Sequence, residues 1–190
     1  MKALEDKILS DGKYLGNGIL KVDSFVNHQV DPALMMTCGQ AFAQQFRPLN
    51  ATKIITVEIS GIAPALTTGI ALGIPIVYAR KSKPITMPDI VLMSTAPSHT
   101  KGRIVEIMAS PEYLPAGERV IIVDDFLASG QTILALARII KAAGAQLVGI
   151  GALIEKTFEG GRAALQPLGV PIISLARIES MDEQGIVFGE

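Results

Sequence analysis

Apolar positions along this chain follow two spacings, one helical and one alternating. Leu4 and Ile8, with charged residues between them, predict a short amphipathic helix over 2–10 that stops near Asp11-Gly12. Ile19-Leu20-Lys21-Val22 alternates like a small strand, and Asn27-His28-Gln29 follows as a loop. Asp31-Pro32 offers an N-cap and a proline at the first helical position, which predicts a helix to about Phe46, before Pro48. From Lys53 the spacing switches back and forth. Strands are predicted at 54–58, 75–79, 120–124, 147–154 and 170–175, and helices at 62–72, 131–143 and 160–168, with Gly73 and Gly144 as stops.

Strands alternating with helices imply an α/β fold, a mostly parallel central sheet flanked by helices and joined by right-handed crossovers. One insert breaks the rhythm. Residues 80–118 hold Pro84, Pro88, Pro97, Pro111 and Pro115, with strand-like pieces at 90–93 and 103–108. A hairpin inserted beside the working edge of such a sheet commonly serves as a flexible lid. Without a repeat, linker or low-complexity tract, 1–190 is expected to be a single domain. A small hood, from about 1–50 and 171–190, would cover the carboxyl edge of the sheet.

Composition narrows the partners. A hydrophobic share of 49% argues against disorder, and a net charge of −1 leaves no basic footprint for nucleic acid. No apolar run reaches the roughly 18 residues of a membrane span, and the first residues lack a signal-peptide core. The lone Cys38 has no disulfide partner in the chain, and it shares one helix face with Met35, Phe42 and Phe46, as a buried core thiol would. A cytoplasmic protein is expected. His28 and His99 have no partners at metal-ligand spacing, so no zinc site is indicated, and no organic cofactor is expected. Asp89, Asp182 and Glu183 stand in polar, surface-like contexts.

The chemistry concentrates at 120–132. Val-Ile-Ile-Val suits a strand buried on both faces, Asp124 and Asp125 follow where it should emerge, and Ala128-Ser129-Gly130-Gln131-Thr132 leads into an apolar helix. A strand–loop–helix junction collects free backbone N–H groups at the positive end of a helix dipole, which binds phosphate. Gly130 lets the backbone approach the anion, and the Ser129 and Thr132 hydroxyls can donate to it. The paired carboxylates are acceptors, matched by the two O–H donors of a vicinal diol. A diol at one end and phosphate at the other describes a ribose 5-phosphate.

The string of four apolar residues, two acids and a Ser-Gly-x-Thr loop resembles the phosphoribosyl-pyrophosphate (PRPP) motif of the type I phosphoribosyltransferases. In that family the turn after the first core strand, here with Ser60 and Gly61, binds pyrophosphate through backbone N–H groups. Arg80, Lys81 and Lys83 end the second strand, where cations suit a pyrophosphate leaving group, although a solvated charge run has the same look. Lys156 ends a strand and could point its ammonium into the cleft, favouring a keto oxygen over an exocyclic amine. A solvated lysine is the other reading.

The likeness extends further. Residues 20–32, Ser60-Gly61-Ile62-Ala63-Pro64, Ile154-Glu155-Lys156 and Ser174-Leu175-Ala176-Arg177-Ile178 are similar to the bacterial xanthine phosphoribosyltransferases. The resemblance implies the type I phosphoribosyltransferase fold and the reaction of xanthine with PRPP to give xanthosine 5′-monophosphate and pyrophosphate in purine salvage. It also implies a homodimer, with Mg²⁺ entering on the pyrophosphate and no protein residue binding the metal directly. It assigns Leu20, Asn27 and Lys156 to xanthine. Ala128, Ser129, Gly130, Gln131 and Thr132 fall to the 5′-phosphate, Asp124 and Asp125 to the ribose diol, and Ser60 and Gly61 to pyrophosphate, which Arg80 and Lys81 would also meet by their place at the end of the second strand. Related hypoxanthine-guanine enzymes have an aspartate at the first loop position. Here it is Ala128, so no catalytic base is assigned. The competing functions are a hypoxanthine/guanine phosphoribosyltransferase and a non-catalytic PRPP-sensing regulator with the same fold.

Overall fold

In the computed structural model, which describes residues 1–97 and 104–189, periodicity and caps resolve into the following elements. Helix α1 (Lys2–Asp11) precedes a two-strand ribbon, β1 (Lys13–Tyr14) with β2 (Leu20–Lys21), and a single π-helical turn at Asp23–Asn27. Helix α2 (Pro32–Phe46) begins at Asp31, whose side chain accepts from the Leu34 N–H. Then come β3 (Lys53–Val57), α3 (Ile62–Leu72), β4 (Ile76–Ala79), the antiparallel pair β5 (Leu92–Pro97) and β6 (Ile104–Ala109), β7 (Arg119–Leu127) and α4 (Gln131–Ala142). The chain ends through β8 (Gln146–Lys156), the short α5 (Gly161–Leu165), β9 (Ile172–Asp182) and β10 (Gly185–Phe188).

Six strands form one sheet in the order β10-β9-β8-β7-β3-β4, parallel throughout except for the terminal β10. Each face carries its own apolar layer. Ile54, Ile121 and Val123 pack toward α2 and α3, with Met35, Cys38, Phe42 and Phe46, while Ile55, Ile122 and Ile150 pack toward α4, with Ile133, Leu136 and Ile139. The glycines of β8 allow the first layer to close. A methyl on Gly151 would meet the Phe42 ring at 2.9 Å, and one on Gly149 would meet Leu49 at 2.9 Å. Phe42 and Phe46 therefore stack, their centroids 5.8 Å apart, directly against backbone. Cys38 is wholly buried in this layer, and desolvation pushes its thiol up to about 12.

The elements depart from the sequence reading in several places. β7 runs to Leu127 rather than stopping at Asp124, because its ladder with β8 continues through Phe126↔Ile154 and Leu127↔Glu155. The last core strand spans Ile172–Asp182, well past the predicted 170–175. It is followed by β10, which sequence periodicity missed. The strand predicted at 90–93 lies at Leu92–Pro97 instead, and Asn27 closes a helical turn rather than a loop. Asp182 is exposed as expected and also forms a turn, its carboxylate accepting from the Gln184 and Gly185 N–H groups at 2.7 and 3.2 Å. Asp89 sits 3.5 Å from Lys83. Arg103, expected to begin a strand, and His99 lie outside the described residues.

Two regions sit differently from the divisions drawn on the sequence. Helix α2 is packed on the sheet, and the first half of β9 is a sheet strand. Only α1, the ribbon, the π-helical turn and the ends of β9 and β10 remain for a hood, and their Leu4, Ile8, Phe25 and Met181 join the same core layer. The described part of the inserted hairpin lies against α4, with Ala96, Ile107 and Ala109 in the second layer and Arg138 reaching the Thr95 carbonyl. No helix among the described residues is long and apolar enough to cross a membrane.

Candidate active site

Strand β7 delivers Asp124 and Asp125 to the carboxyl edge of the sheet, and the chain then turns at once into α4. The turn works because Gly130, at φ +76, takes a left-handed conformation at the helix N-cap. The first N–H groups of α4 are left without intrahelical partners and face out of the loop. Together these elements bound a cleft of about 230 Å³. Its walls include Glu58, Ser60, Gly61, Lys81, both aspartates, Phe126 and all of Ala128–Thr132 by number: Ala128, Ser129, Gly130, Gln131 and Thr132.

Most residues picked from sequence for phosphate, diol and pyrophosphate thus meet in one place. Arg80 is the exception. Its Nε pairs with Glu58 Oε2 at 2.6 Å, its backbone bridges to Met108 in both directions, and its guanidinium lies over the Tyr78 ring. Lys81 alone of the cationic run lines the cleft, with its N–H donating to Glu58 Oε1 at 2.6 Å. Glu58, on the turn after β3, therefore clamps the start of the insert to the pyrophosphate-side turn. Sequence reasoning gave it no role.

The residues assigned to the base stand apart from these walls. Lys156 donates to the Gly18 carbonyl at 2.7 Å and to Glu159 Oε1 at 3.1 Å, and its ammonium lies 5.5 Å from the Phe126 ring. It ties the sheet to the N-terminal ribbon and lies over Phe126, itself part of the cleft wall. Leu20 is buried, its side chain in the apolar core, while Asn27 is exposed at the end of its turn. Phe126 had no signal in the sequence beyond following the acid pair.

Electrostatics distinguish the two aspartates from ordinary surface acids. Asp124 is 4% exposed and accepts the Asp125 N–H at 3.0 Å. Burial pushes its carboxyl well above the ordinary range, and the neighbouring Asp125 charge pushes the same way. Asp125 is raised as well, again by burial, against hydrogen bonds that favour its charged form. Lys81 opposes the shift in both. The cleft thus concentrates proton-hungry acceptors beside the N-terminal end of α4.

The phosphate loop has its own support. A methyl on Gly161 would lie 2.1 Å from the Ala128 carbonyl oxygen and 2.9 Å from the Gly130 nitrogen, so α5 starts hard against the loop. Arg162, the next residue, holds Glu155 of β8 with a two-pronged pair at 2.8 and 2.6 Å. Burial works against charge on Glu155, which is 1% exposed, but Arg162, Ser174 and Arg177 outweigh it and hold the carboxyl below its usual value.

The chain matches the family of phosphoribosyl transferase domains over residues 28–186. It belongs to the phosphoribosyltransferases. Curated relatives match it over its whole length. A xanthine phosphoribosyltransferase of Deinococcus deserti is 53% identical over 100% of this chain and 98% of its own. One of Brevibacillus brevis is 50% identical over 100% and 97%, and one of Pseudomonas fluorescens 46% over 100% of both. Among solved structures, the adenine phosphoribosyltransferase of Thermoanaerobacter pseudethanolicus superposes with a TM-score of 0.76 at 27% identity, covering 92% of this chain and 99% of that one. The adenine phosphoribosyltransferase of Trypanosoma brucei, in complex with AMP, pyrophosphate and ribose-5-phosphate, shares the fold with a TM-score of 0.77 at 20% identity over 96% and 82%. The family and type I fold expected from the sequence are therefore borne out.

Proposed function

We propose that this phosphoribosyltransferase moves the 5-phosphoribosyl group of PRPP to xanthine, releasing pyrophosphate and xanthosine 5′-monophosphate. The observation that carries the reading is the single cleft that joins a diol-matching acid pair, a helix-end phosphate loop and a cationic pyrophosphate turn. Full-length relatives named as xanthine enzymes support the choice of base. In this reading Ser129, Gly130, Gln131 and Thr132 hold the 5′-phosphate, Asp124 and Asp125 the ribose hydroxyls, and Ser60, Gly61 and Lys81 the leaving group. Arg80 acts one step removed, by holding Glu58.

The mechanism follows from charge. Departure of pyrophosphate from C1 leaves an oxocarbenium-like ribose, so the protein must neutralise the leaving group and hold the sugar still. Lys81 and the Ser60-Gly61 amides face the developing negative charge, and the acid pair fixes the ring at its diol. Mg²⁺ supplies further charge neutralisation when it enters with the pyrophosphate. Among the described residues no three His, Cys, Asp or Glu side chains converge as a metal site, so pyrophosphate oxygens and water would hold the ion. At the base end, Lys156 offers a keto-preferring donor behind Phe126, with Asn27 and the Leu20 backbone on the hood side. The working form is a cytoplasmic homodimer, with twice the chain mass in sedimentation.

The test is initial rates with PRPP and Mg²⁺ against xanthine, guanine, hypoxanthine, adenine and orotate. The expected result is the highest kcat/KM for xanthine, loss of turnover with EDTA, and a KM for xanthine raised at least about tenfold in Lys156→Met with little change for PRPP. Preference for guanine or hypoxanthine would refute the base assignment, and PRPP binding without turnover would point to a regulator.

A further inference from the structure

Strand β3 is apolar where it crosses the sheet, Ile54-Ile55 and then Val57, yet Thr56 between them is wholly buried and its hydroxyl has no hydrogen-bond partner among the described residues. A β-branched residue is what this position asks of the backbone, and valine would serve it without an orphaned hydroxyl. What lies near the hydroxyl accounts for it. A methyl built on Gly61 would sit 2.1 Å from Thr56 Oγ1 and 2.7 Å from Asp124 Oδ1, so both oxygens close on one point beneath the turn that follows β3. Glycine at 61 is what leaves them open to each other.

Asp124 needs such a neighbour. It accepts both O–H donors of a diol best when ionised, and burial and the Asp125 charge both resist ionisation. The groups facing it are Asp125 on its own strand, Glu58 across the cleft, and the Lys81 ammonium as the one opposing cation. The hydrogen bond it accepts comes from the Asp125 N–H. A hydroxyl can donate to a carboxylate without bringing a charge of its own.

We propose that Thr56 is a positioning residue, whose hydroxyl, unpartnered among the described residues, turns to donate to Asp124 when the ribose is bound and holds that carboxylate aimed at the diol. It touches no substrate and acts only through Asp124. This rests on the ribose-diol role given to Asp124 above. A further expectation is that the orphaned hydroxyl is kept for binding at the expense of stability.

The experiment compares the full-length wild type with Thr56→Val, which keeps shape and removes the hydroxyl, and Thr56→Ser, which keeps the hydroxyl. Calorimetric PRPP affinity with Mg²⁺ and kcat/KM for PRPP from pH 5 to 9 are measured beside melting temperature. Thr56→Val should bind PRPP about tenfold more weakly, with the acid limb of its profile moved to higher pH, KM for the base unchanged and Tm unchanged or raised. Thr56→Ser should restore affinity and profile. Unchanged PRPP affinity and pH profile in Thr56→Val would overturn the proposal. So would a loss shared by both variants, which would mark a packing role. A wild type that binds no PRPP would instead overturn the reading of the cleft.

Discussion

Asp124 shows how a binding group can work against the fold that carries it. Its folded-state carboxyl takes up a proton more readily than a free aspartate, so the native state binds more protons between the ordinary value and the raised one. Stability therefore falls as pH rises through that window, above about pH 4. The isosteric Asp124→Asn should melt higher than wild type at pH 7 to 8, by about 2–4 °C for each ~1 kcal/mol relieved. The gain should fade toward pH 4, where both forms are neutral, and PRPP binding should be lost throughout. Thermal melts across pH, read beside calorimetry, check both parts. An Asn variant less stable than wild type at pH 8 would show that the carboxyl is not strained by burial. At this scale the acid pair and the phosphate loop were legible because their residue types and order have few other uses. Thr56 and Phe126 were not, since a threonine in a strand and a phenylalanine after one are what the backbone takes anyway. Glu58 stayed hidden for another reason, because its partners Arg80 and the Lys81 N–H are brought to it only by the fold.

Among the α-helices, α5 has the least length and a large share in the site. Its first residue packs on the phosphate loop, and its second is fastened to β8 through the buried Glu155. Gly161→Ala puts a methyl on the Ala128 carbonyl, so the loop must move. We expect KM for PRPP to rise by about tenfold or more, with little change in KM for the base and a loss of roughly 1–3 kcal/mol in stability, measured by steady-state kinetics and denaturant melts. Equal effects on both substrates would mean general loosening rather than a displaced loop. Sequence periodicity located α2, α3 and α4 to within a residue because each has a clear cap or stop, Asp31-Pro32, Gly73 and Gly144. Strand ends were less legible. Asp124 and Asp125 read as the end of a strand, and Arg177, Glu179 and Ser180 interrupt the apolar run of β9, yet pairing with neighbours carries both strands on. Pairing partners are a property of the assembled sheet, which no local window contains.

At the scale of the whole molecule, one apolar layer runs from the N-terminal helix to the last strand, so that α1 is joined to the sheet by its own side chains. The Lys156 ammonium and the Gly18 carbonyl add a polar tie across that seam. The expectation of a hood from about 1–50 and 171–190 arose because those residues flank the alternating pattern, whereas the burial of Leu4, Ile8 and Phe25 among sheet residues was visible only in three dimensions.

That layer also holds a reporter. Cys38 has no exposed surface and its thiol keeps its proton to about 12, so the closed chain offers an alkylating reagent nothing to attack. Labelling at pH 8 then proceeds only from molecules that have opened, and mass spectrometry of the single adduct counts them. We expect labelling at least about a thousandfold slower in buffer than in urea, and slower again with PRPP, which by mass action withdraws population from the open form. The chain is thus supplied with a clock for its own breathing, one that needs no engineered label and ticks more slowly whenever the cleft is filled.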